Sequence, residues 1–153
     1  MPGWIGVISD THGLLRREVE EALRGADLIL HAGDIGRAAV LEGLRRLAPV
    51  IAVRGNIDKA PWARELPETE VVRYSDLYLY ILHDRNELNL QPDVAGFAAV
   101  ISGHSHQPAN VFRNGVLYFN PGSAGPRRFK LPVSVGRLRV VDAKISGEVI
   151  LLE

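Results

Sequence analysis

The chain has no cysteine. That excludes disulfides and thiolate metal sites, so any bound metal must rest on oxygen and imidazole ligands. It also has no net charge, with 18 Lys plus Arg against 18 Asp plus Glu. Nothing in the bulk electrostatics draws it to a long nucleic acid or an anionic membrane. No apolar run is long enough to span a bilayer. A secretory leader is not expected, because Ser9, Asp10 and His12 interrupt the short apolar run that begins at Trp4. The cytoplasm is the expected location.

What remains is an ordinary globular composition. The 153 residues are 46% hydrophobic and 24% charged, which suits one core and a single domain over residues 1–153. The first third alternates two kinds of segment. Trp4 to Ser9, Asp27 to His31 and Val50 to Val53 are short, apolar and rich in Ile, Leu and Val, which predicts buried strands. Between them, Leu15, Val19, Ala22 and Leu23 recur at helical spacing, as do Val40, Leu41, Leu44, Leu47 and Ala48. Two strand–helix–strand units predict a parallel sheet with helices packed on it.

The middle is less regular. Lys59 to Pro67 reads as loop, and Glu87 to Gly96 holds only a weak helical pattern. Val71 to Tyr74 and Leu77 to Leu82 predict a strand pair turning at Ser75-Asp76, and Ala98 to Ser102 another buried strand. The last third is β-like: Ala109 to Phe112, Val116 to Phe119, Val133 to Val141 and Ile145 to Leu152. Asn114-Gly115 is a hairpin turn signal between the first two of these. The whole predicts one α/β domain with a two-layered β core and helices outside.

The polar residues that carry chemistry follow the strands. Asp10 and His12 follow the first, His31 and Asp34 close the second, and Asn56 follows the third. His83 ends the strand from Leu77, and His104 and His106 follow the strand from Ala98. Ligand sites in open α/β sheets gather beyond the carboxyl ends of strands, so five segments converge on one edge. A divalent ion such as Mn, Fe or Zn accepts this mixture of carboxylate, carboxamide and imidazole. Two such ions can lower the pKa of a bridging water and stabilise an in-line displacement at phosphorus.

Each residue has a structural reading too. Asp10 and Asp34 could cap turns or helices, Asn56 could favour a turn, and His83 could be a satisfied strand-end residue. His31, inside its strand, reads as structural or as an outer support rather than a ligand. Trp62, Tyr78 and Tyr80 read as core or interface.

Five motifs in order carry a family resemblance: Asp10-Thr-His12, Gly33-Asp34, Gly55-Asn56, His83 and Gly103-His104-Ser-His106. The chain resembles the calcineurin-like metallophosphoesterases, in particular their small bacterial and archaeal phosphodiesterase branch. The resemblance implies a four-layer α/β/β/α sandwich. It implies that Asp10, His12, Asp34 and His106 bind one ion and Asn56, His83 and His104 the other, with Asp34 bridging. Two divalent cations are implied, with Mn foremost and Fe, Ni or Zn as alternatives. Asp34, Asn56 and His104 would take the catalytic roles. Asn120-Pro121-Gly122-Ser123 also resembles a loop of this branch.

There are two departures. Many larger members carry a His after Gly-Asn, credited with assisting the transition state; here it is Ile57, which cannot donate a proton. The small branch often reads His-Gly-His where this chain has His83-Asp84-Arg85. The missing acid favours a phosphodiesterase; the expected substrate is a small phosphoester, with a nucleotide-like one among the alternatives. The basic residues Arg127 and Arg128 are candidate substrate contacts, with a solvated loop as the alternative. Two rival functions follow from the same resemblance. One is a non-catalytic scaffold, as the similarly folded small subunit of the retromer sorting complex is thought to be. The other is a nucleotide-processing phosphatase or nuclease. Homo-oligomers are common in the family, so the resemblance allows one as a partner state, although no residue pattern in the sequence marks an interface.

Overall fold

The computed structural model describes residues 3–128 and 130–152. Among them, ten strands form two five-stranded sheets. The first has the order β10 (Lys144–Leu152), β9 (Val133–Val141), β1 (Ile5–Ile8), β2 (Leu28–His31), β3 (Val50–Ala52). The second has the order β4 (Thr69–Tyr74), β5 (Leu77–Leu82), β6 (Phe97–Ile101), β8 (Val116–Asn120), β7 (Ala109–Arg113). The strands β1, β2 and β3 run parallel, as the two strand–helix units predicted. The sheet is nonetheless mixed, because β9 pairs antiparallel with β1 and β10 with β9.

The sheets face one another across an apolar layer. Ile5, Val7 and Leu30 from the first sheet meet Leu79, Ile81, Ile101, Leu117 and Phe119 from the second. On the outer face of the first sheet lie α1 (Arg17–Leu23) and α2 (Ala38–Arg45), which bury Val19, Leu23, Val40, Leu41 and Leu44 against Ile8, Ile29 and Val135. At about 25 cal/mol per Å² of apolar surface, such burial supplies the main drive for folding. The outer layer of the second sheet is thinner. It consists of α3 (Pro92–Ala95), a 3-10 turn at Arg85–Glu87, and Leu88 and Leu90 against Tyr80, Leu82 and Val100. The sandwich is therefore four-layered but lopsided.

Boundaries differ from expectation mostly by a residue or two. The weak pattern over Glu87 to Gly96 becomes helix only at Pro92–Ala95, where Pro92 fits the first turn and left-handed Gly96 ends it. The expected loop from Lys59 to Pro67 holds a 3-10 turn at Pro61–Ala63. Tyr80 is buried and Trp62 half-buried, as a core role requires, but Tyr78 is 46% exposed on β5. Among the described residues, no helix is long and apolar enough to cross a membrane.

Candidate metal centre

The loops after β1, β2 and β3 lie side by side. Backbone bonds join the first two: Asp10 N–H to the Gly33 carbonyl (3.0 Å), His12 N–H to Asp34 (3.0 Å) and Gly13 N–H to Ile35 (2.7 Å). The Gly103 N–H donates to the His83 carbonyl at 2.9 Å, which brings the β5 and β6 ends together. The two halves meet where the His104 N–H donates to Asp10 Oδ2 at 3.0 Å. Gly103 is glycine for a spatial reason: a Cβ there would collide with the Ser9 hydroxyl and Asp10 Oδ2. Gly55 is constrained in the same way, since its Cβ would strike the Asp34 backbone and Oδ1.

This packing forces an unusual backbone. Asp10, His12, Asp34, His104 and His106 all have φ between 47° and 70°. Left-handed conformation in a non-glycine residue costs about 1–2 kcal/mol each, and persists only where the surroundings hold it. Two buried side chains supply that hold. His31, fully buried, accepts the Gly33 N–H at Nδ1 (3.1 Å). Its Nε2–H is thereby left to donate to the Thr11 hydroxyl (3.0 Å), which donates to the Ile35 carbonyl (2.8 Å). Burial pushes the His31 pKa down to about 4, so the ring is neutral near pH 7. Asp58, 4% exposed, accepts N–H bonds from Ile35 (3.1 Å), Gly36 (3.0 Å) and Gly55 (2.8 Å). It locks the Asp34 loop to the Asn56 loop. His31 matches its expected supporting role; Asp58 carried no sequence signal beyond its place after Gly-Asn-Ile.

Both carboxylates of the cluster are half saturated. Asp10 Oδ2 accepts from the Ser9 hydroxyl (2.7 Å) and the His104 N–H, leaving Oδ1 buried without a hydrogen-bond partner. Asp34 Oδ1 accepts the Ile57 N–H (3.1 Å), leaving Oδ2 toward the histidines. His83 donates its Nδ1–H to the Ala32 carbonyl (2.7 Å), so its Nε2 presents a lone pair. That Nε2 lies 3.3 Å from Asp34 Oδ2 and 3.9 Å from Asp10 Oδ1. His12 Nε2 lies 3.8 Å from Asp34 Oδ2 and 3.9 Å from Asp10 Oδ1, and His106 Nε2 lies 3.4 Å from Asp10 Oδ1.

Asp10 Oδ1, His12 Nε2 and His83 Nε2, all buried and unpartnered, therefore converge, with His106 Nε2 3.4 Å from Asp10 Oδ1. Unpaired buried polar atoms are costly, and imidazole nitrogens facing carboxylate oxygens are satisfied by a proton or a metal ion between them. Two triads, Asp10–His12–His106 and Asp10–Asp34–His83, have the reach for an ion each. Ligand atoms roughly 2.0–2.2 Å from a shared ion lie about 3–3.5 Å apart, close to the spacings here. The residues thus fit divalent ions. Asp34 Oδ2 sits between His83 and His12, as a bridge requires, although Asp10 is the residue common to both triads.

Electrostatics agree. Burial pushes the Asp34 carboxyl up, but the His83 hydrogen bond and charge, the Ile57 N–H and His12 overcome it and bring its pKa to about 2. Asp10 likewise ends below its ordinary value: burial opposes ionisation, and His106, Ser9 and His83 outweigh it. Burial lowers His83, but Asp34 and Asp10 raise it more, so its pKa is raised overall. Negative charge persists in the site and favours a cation there.

Asn56 and His104 stand on the open side. Asn56 is exposed and lines, with His83, a polar cavity of about 490 Å³. The His104 ring meets His83 edge-on at 5.2 Å, with its side chain 42% exposed and its Nε2 3.7 Å from Asp84 Oδ2. It opens onto a second cavity of about 190 Å³. Neither belongs to the two tight triads. The Asn120–Ser123 loop is a support: Asn120 Nδ2 donates to the Gly103 carbonyl (3.0 Å) and the Ser123 hydroxyl to the Asp10 carbonyl (3.1 Å). Arg127 lines a separate cavity with Arg16, Glu18, Val133 and Leu152, which contains none of the seven candidate ligands. Arg128 is exposed. The Ile57 side chain is 48% exposed and contributes only its N–H to the site.

The chain is similar to known proteins. Residues 4–143 match the calcineurin-like phosphoesterase superfamily domain. A probable metallophosphoesterase of Methanocaldococcus jannaschii is 35% identical, over 97% of this chain and 81% of its own. A solved archaeal phosphodiesterase superposes with a TM-score of 0.76 at 24% identity, covering 97% of this chain and 99% of that one. The zinc complex of Vps29 from Entamoeba histolytica gives 0.73 at 23% identity, covering 97% and 98%. On this family match and this identity, the chain belongs to the calcineurin-like phosphoesterase superfamily.

Proposed function

We propose that the chain is a phosphodiesterase working with two divalent ions. The carrying observation is the convergence of the buried, unpartnered Asp10 Oδ1, His12 Nε2 and His83 Nε2, together with His106 Nε2, around the Asp10 and Asp34 carboxylates. In this reading Asp10, His12, His106 and Asp34 hold one ion, and Asp34, Asn56, His83 and His104 the other. Bound there, the ions supply Lewis acidity toward the phosphoryl oxygens and an acidified water. The ligand set is oxygen and nitrogen only, which suits Mn first and Fe, Ni or Zn as alternatives.

The protein's own residues orient and exclude. His83 is fixed in one tautomer by Ala32, and His31 and Asp58 keep three loops in strained but useful positions. Asn56 and His104, on the open side, face the phosphoryl group. A diester is preferred for two reasons. Ile57 offers no proton to a poor leaving group. One cavity also adjoins His83 and another adjoins His104, whose rings are 5.2 Å apart, and each is assigned to one ester substituent. Arg127 and Arg128 are retained as weaker substrate contacts, since the Arg127 cavity is a separate one.

The test is Mn-dependent release of nitrophenolate from an activated aryl phosphodiester after metal stripping. Restored turnover in the wild type, with a slower monoester, is expected. No turnover with any divalent ion in a folded protein would move the reading to the scaffold alternative.

A further inference from the structure

The two cavities beside the cluster differ in charge. The larger contains one arginine, Arg54, against two glutamates, Glu68 and Glu87. Arg54 is also occupied, its guanidinium 3.4 Å from Glu68. The smaller contains Arg85, which forms no ion pair among the described residues. Its one acidic neighbour in the lining, Asp84, forms no ion pair with it: Oδ1 accepts the Asn86 N–H (3.0 Å) and Oδ2 lies on the His104 side, 3.7 Å from His104 Nε2.

Arg85 is also placed rather than loose. Its guanidinium carbon lies 5.9 Å from the Tyr118 ring centroid, and that of Arg113 lies 5.8 Å from the same ring. Tyr118 forms part of the cavity wall, so a cation held over it reaches the space where a substituent on phosphorus would sit. Gln107, Ser105 and Asn86 add uncharged hydrogen-bonding groups around it.

We infer that the His104-side cavity is a specificity subsite for an anionic substituent, and that Arg85 selects it. The substrate class is then an unsymmetrical phosphodiester with one arm bearing a carboxylate or a further phosphate and the other arm neutral and polar. The inference rests on the phosphodiesterase reading. Hydrolysis itself is unchanged: water oxygen bonds to phosphorus, one ester P–O bond breaks, and that arm leaves with a proton from the water.

The experiment uses two synthetic diesters, 4-nitrophenyl phenyl phosphate and its 4-carboxyphenyl counterpart, with the metal-restored protein. The readout is the ratio of their kcat/KM values by nitrophenolate release. The wild type should favour the carboxylated ester about tenfold, equivalent to about 1.4 kcal/mol. The ratio should fall to about one in Arg85→Ala and below one in Arg85→Glu, while Arg85→Lys keeps part of it. Added salt should shrink the wild-type preference, because the charge is exposed. A wild-type ratio of one or less, or a ratio unmoved in Arg85→Ala and Arg85→Glu, overturns the subsite alone. Turnover of neither ester overturns the phosphodiesterase reading, and the subsite with it.

Discussion

Among the described residues, ten that are not glycine take left-handed backbone, and they divide evenly between two kinds of region. Ser75, Asp76, Asn114, Asp142 and Ala143 lie at hairpin tips, while Asp10, His12, Asp34, His104 and His106 lie in the ligand loops. At the hairpins the conformation is local, because a two-residue turn between twisted strands demands it. In the ligand loops no local rule demands it. There it is imposed by distant partners: His31 on Gly33 and Thr11, Asp58 on three backbone N–H groups, and Gly55 and Gly103 allowing close approach. The same dihedral thus serves economy of chain reversal in one region and placement of ligand atoms in the other.

The comparison breaks hardest at Asp34, the proposed bridge. Asp34→Asn should lower metal-dependent turnover by at least about 10²–10³-fold while the fold survives, as read by kinetics beside circular dichroism. Next comes the clamp. Asp58→Ala strands three backbone N–H groups and should cost about 3–5 kcal/mol in denaturant unfolding. It should also weaken metal binding by about 10–100-fold, with Asp58→Asn intermediate. An Asp58→Ala protein with unchanged metal affinity would separate the clamp from the site.

His31 sharpens the contrast through pH. Its folded pKa of about 4 lies below the ordinary 6.5, so the unfolded chain takes up a proton first as pH falls. Its contribution to stability is fully present above about pH 6.5 and is lost toward pH 4, by about 3 kcal/mol. Metal-free wild type should therefore lose its advantage over His31→Gln as pH drops through this window. A constant gap between the two would contradict a neutral buried His31. The smallest effect belongs to a hairpin. Ala143→Gly relieves a left-handed alanine and should stabilise by about 0.5–1 kcal/mol, leaving metal affinity untouched.

This division also explains what the sequence made legible. Hairpin tips at Ser75-Asp76 and Asn114-Gly115 could be read locally, as could the parallel β1–β2–β3 order from alternating apolar segments. The candidate ligands were readable because each follows a strand and their order matches a family. Asp58 was not, since its three partners come from the turn's own start and from a loop over twenty residues earlier. The two cavities were equally hidden, because Arg85, Tyr118 and His104 meet only through the pairing of β5, β6 and β8. The thin outer layer escaped for a further reason: four helical residues at Pro92–Ala95 leave almost no periodicity to read.

The most direct measurement is the number of ions bound by the metal-stripped protein. Equilibrium titration with Mn, counted by native mass spectrometry, should give two ions per chain in the wild type and at most one in Asp34→Asn. A single ion in the wild type, or two in the variant, would contradict the shared-carboxylate centre.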